Sequence, residues 1–268
     1  MATARVPGEF KPHHPFDYPP GNSITFEEWL ATQPIPDTDR EYLPVFWTSY
    51  YCKHKYGKDR NKMRNLQLFI NSLHGKYWTC CQYDDSILNS LVNVDLKIYG
   101  MGGGRIDFPL PLICQPHKYK FEVERDIFAS FTGALNHPIR SQMINELYKF
   151  GGYWVSTDKI PIKDYCKIMA RSIFALCPRG YGKTSFRICE ALQFGAIPVY
   201  ISDEFILPFN KDFNEYGVVI TRDQIPFINN ILSSFNICDL HKKREAGKKA
   251  YKEMFTYEGC YKMLIENL

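Results

Sequence analysis

Ile173-Phe174-Ala175-Leu176-Cys177-Pro178-Arg179-Gly180-Tyr181-Gly182-Lys183-Thr184-Ser185-Phe186-Arg187-Ile188-Cys189-Glu190-Ala191-Leu192-Gln193-Phe194-Gly195-Ala196-Ile197-Pro198-Val199-Tyr200-Ile201 holds a strand, a loop, a helix and a second strand in direct succession. The run from Ile173 to Cys177 is short, apolar and closed by proline, the pattern of a strand buried on both faces. Ser185 is placed to cap a helix that Gly195 ends. Ile197 to Ile201 is the next buried strand. A β-loop-α-β unit of this kind belongs to a parallel sheet, whose ligands gather where strand C-termini meet helix N-termini.

The loop of that unit carries charge. Arg179, Lys183 and Arg187 bring three cations to the helix start, and Thr184 and Ser185 add hydroxyls. Free backbone N–H groups and the positive end of the helix dipole suit a diphosphate. Gly180 leaves room for close approach. The plainer alternative is a solvated basic loop. Arg187 and Glu190 stand three apart and share one helix face, so Glu190 is a candidate acceptor for ribose hydroxyls; a surface ion pair is the alternative. Gly182-Lys183-Thr184 imitates the end of a P-loop. The leading glycine of that motif falls on Cys177, and Pro178 lacks an N–H the phosphate cradle would use.

Outward from this unit the same alternation continues. In the C-terminal half, Ile127–Thr132 and 217–221 are predicted strands. Pro138 opens a predicted helix with Ile139, Met143 and Leu147 on one face. Helices are also predicted over 165–171, 224–235 and 241–255. In the N-terminal half, 43–48, 77–82 and 94–99 are predicted strands, and 60–73 a helix. Gly100 to Gly104 cluster after the third strand. They do not form a dinucleotide fingerprint, because Arg105 takes the last glycine position. The predicted organisation is a tail over 1–23, a Rossmann-like domain over 24–122, a second over 123–240, and C-terminal helices over 241–268.

Composition is that of a globular protein. The 268 residues are 45% hydrophobic and 23% charged, which is enough to bury a core. A net charge of +4 is too mild for a nucleic-acid binder. The lysines between Lys242 and Lys252 read as a solvated helix face, since their helical spread sets them toward water. Nine cysteines, an odd number without zinc spacing, read as reduced core thiols, and no apolar stretch is long enough to span a membrane. These features give the expectation of a cytoplasmic protein without a resident metal or cofactor.

The block Ser172–Gly180, followed by Ser185-Phe186-Arg187, Glu190-Ala191-Leu192 and Ala196-Ile197-Pro198-Val199, resembles the exostosin family of glycosyltransferases. Weaker matches are Phe128–Gly133 with Arg140, and Asp107-Phe108-Pro109-Leu110. The resemblance implies a glycosyltransferase B fold, with two Rossmann-like domains facing a cleft, an inverting mechanism and a UDP-sugar donor. It makes Arg140 and Arg179 candidates for the diphosphate and Glu190 for the ribose. The short, anchorless chain is similar to family members encoded by large algal viruses. That implies xylose as donor sugar and fucose, within an oligosaccharide or glycoprotein, as acceptor.

The general base is expected in the N-terminal half. Asp84 and Asp85 follow directly on the 77–82 strand, at a strand C-terminus. The alternative for Asp85 is capping a helix over 86–91. Asp107, His74, His117 and His137 are further candidates. Trp47, Tyr50, Tyr51, Trp78 and Tyr83 are candidate stacking faces for an acceptor sugar.

Overall fold

The computed structural model describes residues 3–13, 18 and 24–268. The chain divides into two compact units. One comprises Met1–Gln115 with Tyr257–Leu268, the other Pro116–Thr256. Both are α/β, and each contains one parallel sheet.

The first unit holds α1 (Phe26–Leu30), β1 (Glu41–Tyr42), α2 (Trp47–Lys53), α3 (Arg60–Asn71), β2 (Lys76–Cys81), β3 (Asp95–Gly100) and β4 (Phe108–Pro109). Its strands lie in the order β1-β2-β3-β4. The strand expected over 43–48 is not formed. Pro44 has no N–H to extend the ladder, and the backbone turns at once into α2. Trp47, Tyr50 and Tyr51 then follow the helical period and are buried. Thr25 opens α1 with a reciprocal capping box to Glu28.

The expected tail over 1–23 is packed over its described first part. Ala4 N–H donates to the Tyr42 carbonyl at 2.8 Å, and Val6 and Phe10 enter the core. These apolar side chains gain more by burial than a free terminus would. Among the other expected tail positions, 1–2, 14–17 and 19–23 lie outside the described residues.

The second unit holds β5 (Ile127–Thr132), α4 (Pro138–Leu147), β6 (Tyr153–Ser156), α5 (Ile162–Arg171), β7 (Ser172–Pro178), α6 (Phe186–Gln193), β8 (Ile197–Ser202), β9 (Val218–Thr221), α7 (Ile228–Ser233) and α8 (Ile237–Met254). The last helix, α9 (Tyr257–Glu266), belongs to the first unit. The predicted helix over 224–235 is split, a 3-10 turn over Arg222–Phe227 leading into α7. Pro226 removes one donor at that junction.

Strand order in the second sheet is β6-β5-β7-β8-β9. From β5 the chain first crosses to one side, to β6, and then returns to the other, to β7. The point of reversal lies between β5 and β7. Their pairing runs only from Ile127↔Ser172 to Ser130↔Ala175. Beyond it the strand ends splay. Phe131, Phe174, Leu176 and Val199 from the sheet, with Ile139, Met143 and Leu147 from α4, fill one core.

Candidate functional site

In open parallel sheets the crevice at such a reversal is where ligands bind, outside the strand C-termini. Here it is flanked by the loop after β5 and the loop after β7. The sequence places a cation in or beside each.

Arg140 sits in the first turn of α4, which His137 caps by accepting from Ile139 N–H at 3.3 Å. The residue is only 6% exposed. Nε donates to the Arg179 carbonyl at 2.9 Å and Nη1 to the Ala134 carbonyl at 2.8 Å. Nη2 reaches the Pro178 carbonyl at 3.4 Å. Arg140 therefore stitches the two loops together. Gly180 makes the close approach possible, because a Cβ there would come within 2.9 Å of Arg140 Nη2.

Arg187 fills the splay between the strands. Its Nε and Nη2 donate to the Thr132 carbonyl at 2.9 and 2.6 Å. A Cβ at Gly133 would lie 1.9 Å from its Nη2, so this position admits only glycine. Both Arg187 and Arg140 approach the Phe131 ring, at 5.0 and 5.9 Å. Burial, and then the neighbouring Arg187 charge, pull the Arg140 guanidinium down to about 10. Arg140 has no carboxylate in ion-pair reach among the described residues. Its partners are neutral carbonyls. A buried guanidinium whose own hydrogen-bond partners are neutral carbonyls favours an anion nearby.

The β7–α6 loop is ordered by a second set of contacts. Ser185 caps α6, and its Oγ accepts from Arg187 N–H at 3.3 Å. Thr184 is buried. Tyr200 hydroxyl donates to the Lys183 carbonyl at 2.7 Å. Arg179 N–H pairs with the Ile201 carbonyl at 2.9 Å, and its guanidinium is paired with Asp203. Arg179 Nε is buried without a partner. Lys183 is paired with Glu204 at 2.5 Å. Partial burial pushes the Asp203 carboxyl up, but the Arg179 hydrogen bond and charge, a backbone hydrogen bond and the His137 charge together hold the group below its ordinary range.

Glu190 is not at the surface. It is 0% exposed. His117 Nε2 lies 2.7 Å from Oε1, and Tyr165 hydroxyl donates to Oε2 at 2.6 Å. Burial, then the Glu190 charge, raise the Tyr165 phenol well above its ordinary range. Both carboxylate oxygens are thus occupied. Tyr165, itself half-buried, covers one of them. His117 is further anchored by Gln193, whose amide oxygen accepts from its N–H at 3.1 Å and whose NH2 donates to its carbonyl at 2.9 Å.

In the first unit, Asp84 and Asp85 follow the C-terminal end of β2, and no helix follows over 86–91. Ser86 takes a left-handed φ of 60° and donates its hydroxyl to the Arg105 carbonyl at 2.5 Å. A cap for Asp85 therefore has no helix to serve. The glycine cluster lies against these aspartates. Gly103 and Gly104 N–H donate to the Asp84 carbonyl at 2.6 and 3.1 Å. A Cβ on Gly102 or Gly104 would strike the backbone of residues 83–85. Asp107 Oδ2 accepts from Ile98 N–H at 2.8 Å and closes the β3–β4 turn. Trp47, Tyr50, Tyr51 and Trp78 are core residues, buried to 1% exposure or less, and cannot offer a stacking face. Tyr83 remains part-exposed, tilted against Tyr51 at 5.0 Å.

Residues 46–235 match the exostosin GT47 domain. The chain belongs to the exostosin GT47 family. Curated relatives include a "probable glucuronosyltransferase" of Oryza sativa subsp. japonica, 38% identical over 106 residues, covering 38% of this chain and 25% of that one. Another is a "probable beta-1,4-xylosyltransferase" of Arabidopsis thaliana, 32% identical over 140 residues, 47% of this chain and 34% of that one. The matched segments span about a fifth to two fifths of these relatives' lengths. Among solved structures, TarM aligns with 77% of this chain and 46% of its own at a TM-score of 0.44 and 10% identity. No described helix is long and apolar enough to cross a membrane.

Proposed function

We propose that this exostosin GT47 chain is an inverting glycosyltransferase that transfers a sugar, xylose foremost, from a UDP-sugar to a hydroxyl of a glycan acceptor. The observation that carries this reading is the buried Arg140 guanidinium at the reversal of the second sheet, which has no ion-pair carboxylate among the described residues and is held by neutral carbonyls. A diphosphate supplies the missing charge. Fucose is the acceptor expected from the family resemblance.

The acceptor hydroxyl loses its proton to a base and its oxygen attacks the anomeric carbon. The bond from that carbon to the β-phosphate oxygen breaks, and UDP leaves with the electron pair. Charge then grows on the diphosphate. Arg140, Arg179, Lys183 and the N–H groups near Ser185 stabilise it without a metal ion, aided by the space Gly180 leaves and the hydroxyl of Thr184. Arg187 acts one step back, holding the splayed strand ends and Phe131 so that Arg140 stays in place. Glu190 takes a ribose hydroxyl by exchanging the Tyr165 phenol for it. Asp84 is the preferred base and Asp85 the alternative.

The test is a thermal-shift screen of UDP, GDP, ADP and ATP with magnesium or with EDTA. A shift for UDP that survives EDTA is expected. Arg179→Ala should lose most of it, because a charge-assisted hydrogen bond to the diphosphate goes with the guanidinium. Asp84→Ala should keep UDP binding and lose turnover with UDP-xylose. Retained turnover removes Asp84 from the mechanism. A magnesium-dependent ATP shift instead would point to a kinase.

A further inference from the structure

Two of the cations assigned to the diphosphate are already paired with acids. Arg179 is paired with Asp203, and Lys183 with Glu204. The two acids are neighbours on the segment that leaves β8, and they answer two cations of a single loop. Such pairs are partly exposed and individually weak, so a polyphosphate can displace them. The acids cannot go far. Ser202 ends β8 in register with Thr221 of β9. Its Oγ accepts from Glu204 N–H at 3.2 Å, and the same hydroxyl contacts the Glu204 carbonyl. Their Cα positions are therefore fixed beside the cations when a ligand arrives.

We propose that Asp203 and Glu204 determine the donor sugar by charge, and that the site takes a nucleoside diphosphate sugar whose sugar is neutral and rejects a uronic acid. The inference rests on the donor reading above. With Arg179 and Lys183 turned to phosphate, the two carboxylates become acceptor-only groups facing whatever the β-phosphate carries. A neutral pentose or hexose satisfies them by donating hydroxyls. A uronic acid sets a third carboxylate against these two. Two like charges at about 6 Å in a water-like dielectric oppose such a ligand by about tenfold in affinity.

Isothermal titration of UDP, UDP-xylose and UDP-glucuronic acid tests this, using the wild-type chain, Asp203→Asn, Glu204→Gln and the double variant. Wild type should bind UDP-xylose about tenfold tighter than UDP-glucuronic acid. Each single variant should narrow the ratio, and the double variant should bring it within about threefold, chiefly by tightening UDP-glucuronic acid. Both positions are partly exposed, and a melting curve beside each titration checks that the variant is folded. An unaltered ratio in the double variant, or a wild-type preference for UDP-glucuronic acid, overturns the inference while leaving UDP binding intact. Failure of the wild type to bind UDP at all overturns the donor reading itself, and this inference with it.

Discussion

Glu27 in the first unit and Glu190 in the second are both sealed from solvent, and the two are held in opposite ways. Glu27, 1% exposed in the first unit, accepts from Gln82 N–H at 2.6 Å, Thr48 N–H at 3.0 Å and Thr48 hydroxyl at 2.7 Å. Two of its three donors are backbone, fixed by the end of β2 and the start of α2. Glu190, in the second unit, is held by the side chains of His117 and Tyr165. Backbone donors cannot turn away without unfolding the element that owns them. Side-chain donors can rotate and be replaced by a ligand hydroxyl. The sheets differ to match. The first runs β1-β2-β3-β4 without reversal, and the second reverses between β5 and β7, beside the arginines. Glu27 is a fastener of the fold, and Glu190 is a fastener that a ligand can undo.

Glu190→Ala strips two buried partners and should lower stability by about 3 kcal/mol. It should also abolish UDP binding. Glu27→Ala should destabilise by a similar amount, yet the fraction still folded should bind UDP normally. Melting curves with and without UDP separate the two. Loss of UDP binding in folded Glu27→Ala would erase the distinction.

The pH dependence sharpens it. Burial pushes the Glu27 carboxyl up from 4.5 to about 7, against the lowering effect of the Gln82 and Thr48 donors. The folded pKa lies above the unfolded one. Its contribution is therefore complete below about pH 4.5 and is lost as pH rises through about 7, a change of about 3 kcal/mol at most. The melting temperature of wild type should fall between pH 5 and 8 relative to Glu27→Gln. Parallel profiles would show that the donors win and Glu27 is ionised throughout.

Arg140→Lys keeps the charge but cannot reach three carbonyls at once. A loss of about 2 kcal/mol in stability is expected, with weakened UDP binding. Tyr165→Phe is the mildest change. It removes one hydrogen bond from Glu190 and should cost about 1 kcal/mol. Because Tyr165 covers Glu190, UDP affinity should hold or rise. A marked fall would make the phenol itself a ligand contact.

The sequence by itself determined the secondary elements around the loop. Ile127–Thr132, the Pro138 helix start, the Ser185 cap and the 197–201 strand follow from local rules of apolar runs, proline and capping. It also marked where cations cluster. The first unit was less legible, because Pro44 overruled an apolar run and the tail's Val6 and Phe10 joined a core that no local pattern announces. The pairing of Asp203 and Glu204 with Arg179 and Lys183 is not written in local sequence pattern. Only the tertiary structure decided which charges are free. Arg187 turned inward to a carbonyl, Glu190 was sealed by residues 73 and 25 positions away, and Arg140 was left without a carboxylate. Charge and spacing are written along the chain. Whether a charge meets a partner depends on which strands the sheet sets side by side, and that is a property of the packed core.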